Sequence, residues 1–169
     1  ASILYLKGKS FQLYPDFLTA GLLDVSNYND GKRGGKIRAR ARIIQKDKNT
    51  LCITELPFSK NTGDLIDSIL KANEKGKIKI KKIEDNTSDE VEINILLAND
   101  VSPDMMIDAL YAFTDCEVSI SPNACVIVSD KPMFLSVSEI LKYNTDHTVS
   151  LLKKELEIEL HELQEKWHF

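Results

Sequence analysis

The stretch GKRGGKIRARAR, residues 31–42, contains six basic residues and no acidic one. From Lys36 onward, basic and apolar residues alternate strictly, with cations at Lys36, Arg38, Arg40 and Arg42. Side chains of a strand point alternately to opposite faces, so this order predicts a half-buried strand over residues 36–45 with one cationic face. We call residues 31–42 the basic segment.

The residues after the basic segment predict a hairpin and a helix. KDKNT (46–50) has the composition of a turn, and LCITEL (51–56) that of an apolar return strand, which Pro57 ends. Apolar residues at helical spacing predict a helix over residues 63–73, with Asn61 or Thr62 as its N-cap. KIKIKKI (77–83) alternates again and predicts a second basic strand, followed by a strand over 91–97.

The second half of the chain predicts a helix, short strands and a long terminal helix. Ser102 before Pro103 is a typical helix start, and strands are expected over 117–120, 125–128 and 132–135. From 136 an amphipathic helix is predicted, with an apolar stripe at Val149, Leu152, Leu156, Leu160, Leu163 and Trp167. The fold class is therefore α+β, a mainly antiparallel sheet with covering helices, divided into a domain over 1–135 and an arm over 136–169.

The charge is divided unevenly between the two halves of the chain. The net charge of the 169 residues is -4, yet residues 1–82 hold 17 Lys and Arg against 8 Asp and Glu, and residues 83–169 hold 5 against 18. Such asymmetry is typical of proteins with a polyanion-binding surface. The chain begins with Ala1 and ends within a predicted helix, from which we expect a fragment of a longer protein.

Signatures of catalysis and metal binding are absent from the sequence. The three histidines do not cluster with a cysteine, and neither GxSxG, GxxxxGK[ST] nor GxGxxG occurs. We therefore predict no catalytic and no metal-binding residue. Three cysteines without CxxC spacing are expected to be reduced core residues. No apolar run approaches the roughly 20 residues that span a bilayer, so we expect a cytoplasmic protein without membrane contact.

The spacing of the cations favours the backbone of a nucleic acid duplex. Alternate residues of a strand lie about 6.6–7 Å apart, close to the distance between every second phosphate along one strand of a duplex, about 6.8 Å. No aromatic residue is interleaved with the cations, which disfavours base stacking with a single strand. A solvated strand face is the alternative interpretation. A stand-alone RNA- or ribosome-binding protein and a protein-interaction module are the alternative functions.

Five sequence blocks in order resemble the breakage-reunion region of type IIA topoisomerase A subunits, those of DNA gyrase and topoisomerase IV. They are PDFLTAG (15–21), GKRGGKIRARARI (31–43), ITELPFSKN (53–61), LYAFT (110–114) and SISPN (119–123). The resemblance implies a tower domain that holds the outer part of the bent gate DNA duplex, followed by the start of a coiled-coil arm. The implied DNA-binding residues are Lys32, Arg33, Lys36, Arg38, Arg40, Arg42, Lys60 and Asn61.

The resemblance also implies what this chain lacks. The family's nucleophile is a tyrosine directly after an arginine, in a domain that precedes the tower, and none of the five tyrosines here follows an arginine. The fragment is therefore expected to be inactive alone and to contain no cofactor, with Mg²⁺ and ATP on a partner of the B type. The implied enzyme contains two copies of the chain's parent protein and lies in the nucleoid, and the isolated fragment is expected to be a monomer. Two departures from the family pattern, Leu18 where a proline is usual and an arm that reads YNTDHTVSLLKKELEIEL (143–160) where arginines are frequent, suggest a divergent lineage. We expect it to be nearer topoisomerase IV than gyrase.

Overall fold

The computed structural model describes residues 1–168, and the last residue of the predicted arm, Phe169, lies outside the described residues. The helices are α1 (Ser2–Leu6), α2 (Thr62–Glu74), α3 (Pro103–Phe113) and α4 (Val137–His168). The strands are β1 (Leu22–Asn27), β2 (Lys36–Arg40), β3 (Arg42–Asp47), β4 (Thr50–Glu55), β5 (Ile80–Asp85), β6 (Ile93–Leu97), β7 (Glu117–Ile120), β8 (Cys125–Val128) and β9 (Lys131–Phe134). The pairings between them are antiparallel, which confirms the predicted α+β class.

The chain forms two compact units. The first unit contains Ala1–Tyr14, Asn29–Gly35 and the chain from Pro122 onward, and the second contains Pro15–Tyr28 and Lys36–Ser121. The basic segment is therefore shared, because Lys32 and Arg33 lie in the first unit and its other cations in the second. The division into 1–135 and 136–169 stays a prediction about the domains of a longer protein.

The second unit contains the hydrophobic core. Its two sheets have the strand orders β1-β2-β7 and β3-β4-β6-β5. Leu51, Ile53, Ile93 and Ile95 on β4 and β6 are fully buried. α2 and α3 bury their own apolar residues in the same core, as their helical spacing predicts.

The first unit is organised around the start of α4. Ser136 and Glu139 form a reciprocal capping box, in which each backbone N–H donates to the side chain of the other residue. Asp30 accepts hydrogen bonds from the backbone and hydroxyl of Ser138. The hydroxyl of Tyr5 donates to Asp146 at 2.9 Å. These contacts attach both the chain start and residues 29–35 to the first turns of α4.

The single strand predicted over residues 36–45 is wrong, because the chain breaks at Ala41 into β2 and β3, which belong to different sheets. The N–H of Ala41 donates to the carbonyl of Cys116 at 2.8 Å, and its carbonyl accepts from the hydroxyl of Tyr111 at 2.8 Å. Contacts distant in sequence therefore fix the break. The hairpin of β3 with β4 is confirmed, but it begins at Arg42 rather than Lys36.

Two other expectations need correction, and two elements were not predicted. The second basic strand starts at Ile80, so Lys77 lies in the turn that precedes it. Cys52 and Cys116 are buried as predicted, whereas Cys125 is exposed and is no core residue. Strand β1 and helix α1 were not predicted, because their short sequences show no alternation or capping signal. The helices α2, α3 and α4 begin within a residue of their predicted starts.

Candidate nucleic-acid interface

Strand β2 presents its cations on the face opposite a buried apolar face. Ile37 and Ala39 are buried, whereas Lys36 is exposed and Arg38 half-buried. Arg38 lies opposite Asp24 on β1. The pKa of Asp24 is lowered mainly by hydrogen bonds from Ser26 and further by the charges of Arg38 and Arg40. Within residues 1–168, neither Lys36 nor Arg38 forms an ion pair, so both cations are free to meet an anion.

Arg40, at the end of β2, is held between a carboxylate and an aromatic ring. Its Nε donates to the Oε2 of Glu117 at 2.7 Å, and its guanidinium carbon lies 4.8 Å from the ring centroid of Tyr111. Partial burial raises the pKa of Tyr111, so the phenol stays protonated and can donate to the carbonyl of Ala41. Arg40 is thus fixed in orientation while still half-exposed.

Arg42, the first residue of β3, is oriented by a carboxylate that the backbone also holds. Its Nε lies 2.9 Å from the Oε2 of Glu55, and the N–H of Gly21 donates to the same oxygen at 2.8 Å. The hydrogen bond from Arg42 and then that from Gly21 lower the pKa of Glu55. The carboxylate is therefore ionised at neutral pH and keeps Arg42 in place.

Lys60 and Asn61 lie in the turn between β4 and α2 and have defined local partners. Nζ of Lys60 lies 2.7 Å from Oδ2 of Asp115, a hydrogen bond that raises the pKa of Lys60. Oδ1 of Asn61 accepts the backbone N–H of Asp64 at 2.7 Å, which confirms Asn61 rather than Thr62 as the N-cap of α2. Asn61 therefore has a structural role, and its role in DNA binding stays a prediction.

Lys32 and Arg33 belong to the first unit. Nζ of Lys32 lies 3.5 Å from Oε2 of Glu139, the capping residue of α4, and this nearby cation helps to lower the pKa of Glu139 after the hydrogen bonds from Ser136. Arg33 is exposed and forms no ion pair in the described part of the chain. The structure thus gives Lys32 a local partner that the sequence did not reveal.

The partners of the arginines orient them without consuming their hydrogen-bonding capacity. Each pair uses the Nε of the guanidinium, whose five N–H donors form a fixed fork. No hydrogen bond occupies the Nη groups of Arg40 or Arg42 among the residues described. Half-exposed ion pairs of this kind contribute only about 0–1 kcal/mol, so a phosphate can add to or replace the carboxylate at small cost.

The orienting residues Tyr111, Glu55 and Glu117 were missed by sequence reasoning. A signal existed for two of them, because Glu55 lies in the block ITELPFSKN and Tyr111 in the block LYAFT. Over residues 1–168, no three His, Cys, Asp or Glu side chains gather in a way that could hold a metal ion. None of the helices described is both long and apolar enough to cross a membrane.

Comparison with known proteins identifies the class to which this fold and surface belong. The family model for the A subunits of DNA gyrase and topoisomerase IV matches residues 1–169. The chain therefore belongs to the family of DNA gyrase and topoisomerase IV A subunits, which confirms the resemblance stated from the five sequence blocks.

Three relatives illustrate this membership. The chain is 38% identical to the DNA topoisomerase 4 A subunit of Borreliella burgdorferi over 161 residues, 95% of this chain and 25% of that protein. It is 31% identical to the DNA gyrase A subunit of Mycobacterium tuberculosis and 28% identical to that of Lawsonia intracellularis, in each case over 91% of this chain and 20% of the relative. The chain thus spans a quarter or less of the length of these relatives.

Proposed function

We propose that this chain is the part of a type IIA topoisomerase A subunit that holds the outer part of the bent gate duplex. The observation that supports the proposal most is the pair of half-exposed arginines, Arg40 and Arg42, each oriented through Nε by its own carboxylate. Guanidinium groups held in this way bind phosphate oxygens with little further loss of side-chain entropy. Lys36 and Arg38 add two unpaired cations on the same strand as Arg40.

The proposed mechanism is positional. Bending a duplex of 20–30 base pairs costs on the order of 1–6 kcal/mol, and contacts with backbone phosphates offset this cost through release of counterions. In the proposed holoenzyme, two A subunits combine with B subunits that carry Mg²⁺ and ATP, and the assembly changes DNA topology by ATP-dependent double-strand passage in the nucleoid. This chain supplies no cleaving tyrosine, since none of its five tyrosines follows an arginine.

The test is fluorescence anisotropy of a duplex of about 30 base pairs titrated with the chain over a range of salt concentrations. The variant Lys36→Glu/Arg38→Glu removes two cations that form no ion pair among the described residues. Because Arg38 lies opposite Asp24 on β1, circular dichroism checks that the variant keeps the fold. The matched control is Lys48→Glu/Lys131→Glu, which makes the same charge change in the β3–β4 turn and on β9. We expect binding that weakens with salt, and a slope of log affinity that is smaller by about 1.8 in the first variant than in the control.

Two outcomes would contradict the proposal. Absence of wild-type binding at low salt would show that the cationic face is only solvated. Equal affinity of the variant and its control would show that any binding is non-specific attraction by net charge.

The same measurement with an RNA duplex of the same length tests the alternative functions. Tighter binding to RNA than to DNA would support the RNA-binding alternative. No binding to either duplex would leave the protein-interaction module as the remaining interpretation.

A further inference from the structure

A short segment at the end of α3 contacts three basic side chains of the second unit. Alternate residues of segment 113–117 each contact one cation: Phe113 contacts Lys77, Asp115 contacts Lys60, and Glu117 contacts Arg40. The lysine nitrogen lies 5.6 Å from the ring centroid, and the other two nitrogens lie 2.7 Å from their carboxylate oxygens. The helix ends at Thr114, with φ -130° and ψ 176°, and the chain turns at Asp115 and Cys116 before β7 begins at Glu117.

One of these cations, Arg40, belongs to the basic segment, and the other two, Lys60 and Lys77, line a groove. The groove has a volume of about 720 Å³, and its lining includes Lys60, Lys77 and Phe113. The end of α2 adds Lys71, in its last turn, and Lys75, its C-cap, to the same lining. Residues four apart on a helix lie on one face, and both lysines are exposed without an ion pair in the part of the chain that is described. Lys60, one of the implied DNA-binding residues, thus connects two cationic areas.

The groove is acidic at one end and basic at the other. Asp64 and Asp67 lie in the first turns of α2, whereas Lys71 lies in its last turn and Lys75 is its C-cap, close in sequence to Lys77. The backbone N–H of Lys77 donates to the carbonyl of Ala72, which holds the turn after α2 against the helix end. An anion would therefore bind at the end that Lys71, Lys75 and Lys77 share.

The chemistry of this end favours phosphates of a duplex over a single strand or a small ligand. Lysines act as point charges that require no particular orientation of the anion. Lys77 already covers one face of Phe113, so the ring is not open for base stacking on that face.

We propose that Lys71, Lys75 and Lys77 form a second phosphate-binding surface, joined to the basic segment through Arg40 and Lys60, which holds a further stretch of the same duplex. The proposal rests on the proposed function, because it extends the path of that duplex across the second unit. Segment 113–117 acts as the positioning element of the path. Asp115 and Glu117 set the direction of the two central cations and do not themselves contact DNA.

The test uses the same anisotropy measurement on the full chain with Lys71→Glu/Lys75→Glu. We expect the slope of log affinity against log salt to be smaller by about 1.8 than in the Lys48→Glu/Lys131→Glu control, which carries the same net charge. Lys71→Gln/Lys75→Gln, which keeps good helix formers at both positions, is expected to reduce the slope equally and guards against unfolding of α2. Circular dichroism of each variant checks that the helices are retained.

The outcomes separate this inference from the proposed function. Wild-type binding that is weakened by Lys36→Glu/Arg38→Glu but not by either α2 variant would overturn the second surface and leave the first in place. No wild-type binding would overturn both. If the α2 variants leave duplex affinity unchanged but abolish binding of polyglutamate, the groove binds an acidic protein segment and the proposal is wrong.

Discussion

Gly21 allows a close approach between three backbone segments at the scale of single residues. It has φ +86°, and a Cβ there would lie 2.7 Å from the carbonyl oxygen of Arg40 and 3.1 Å from that of Leu56. The conformation and the lack of space both require glycine. Since the N–H of Gly21 donates to Glu55, which also pairs with Arg42, this one position connects the loop before β1 to an arginine of the proposed interface.

The carboxylate of Glu55 should make stability depend on pH. Its pKa in the folded chain is below the ordinary value of 4.5, so the ionised form stabilises the fold at pH values above that ordinary value. This contribution is lost as pH falls through the folded pKa. We expect the free energy of unfolding to fall more between about pH 6 and about pH 3 for the wild type than for Glu55→Gln. Urea unfolding at several pH values measures the difference.

The exposed Glu90, in the turn between β5 and β6, offers the control for this prediction. Glu90→Gln should keep the pH dependence of the wild type. If Glu55→Gln also keeps it, the network of Glu55 with Arg42 and Gly21 contributes nothing to stability.

At the scale of elements, the sequence predicts local features and misses those fixed by distant residues. The hairpin of β3 with β4 and the starts of α2, α3 and α4 depend on turns, caps and spacing within a few residues, and all were predicted. The break at Ala41 was not, because basic and apolar residues alternate through it without interruption. Its cause is the pair of hydrogen bonds with Cys116 and Tyr111, some 70 residues away.

The same distinction applies to the candidate site. Alternation identified the cations of β2, since it depends only on strand geometry. It could not identify which cations have carboxylate partners, because Glu117 is 77 residues from Arg40 in sequence. The orientation of the arginines is thus a tertiary property, whereas their presence on one face is a local one.

The cap of α2 gives a prediction that separates the structural from the binding role of Asn61. Asn61→Ala removes the acceptor for the N–H of Asp64 and should lower stability by about 0.5–2 kcal/mol, whereas Asn61→Asp keeps an acceptor and should preserve stability. Thermal unfolding measures both. If Asn61 instead binds phosphate, both variants would weaken duplex binding. Asn61→Asp would then bind the duplex more weakly than Asn61→Ala, because it adds a negative charge.

At the scale of the whole molecule, the buried apolar residues are concentrated in one part of the chain, as the basic residues are. The core of buried apolar residues lies in the second unit, from Ala41 to Cys116. Among the described residues of α4, Thr145 is the only buried one. Beyond it, the predicted apolar stripe from Val149 to Trp167 is exposed, with Trp167 itself at 90%. An α-helix without tertiary packing is marginally stable in water, so the later turns of α4 should open independently of the core.

Hydrogen–deuterium exchange followed by mass spectrometry tests this difference in stability within the intact chain. We expect peptides from residues 149–168 to exchange much faster than peptides from β4 and β6, because amides in the core exchange only on global opening of the second unit. Ile95→Ala, which removes a fully buried side chain, should cost about 2–5 kcal/mol and speed exchange of the core peptides of the second unit, those of β4 and β6 included, but not of the α4 peptides. Equal acceleration of the α4 peptides would mean that the helix and the core unfold together, and that the exposed stripe is stabilised by the second unit despite its lack of burial.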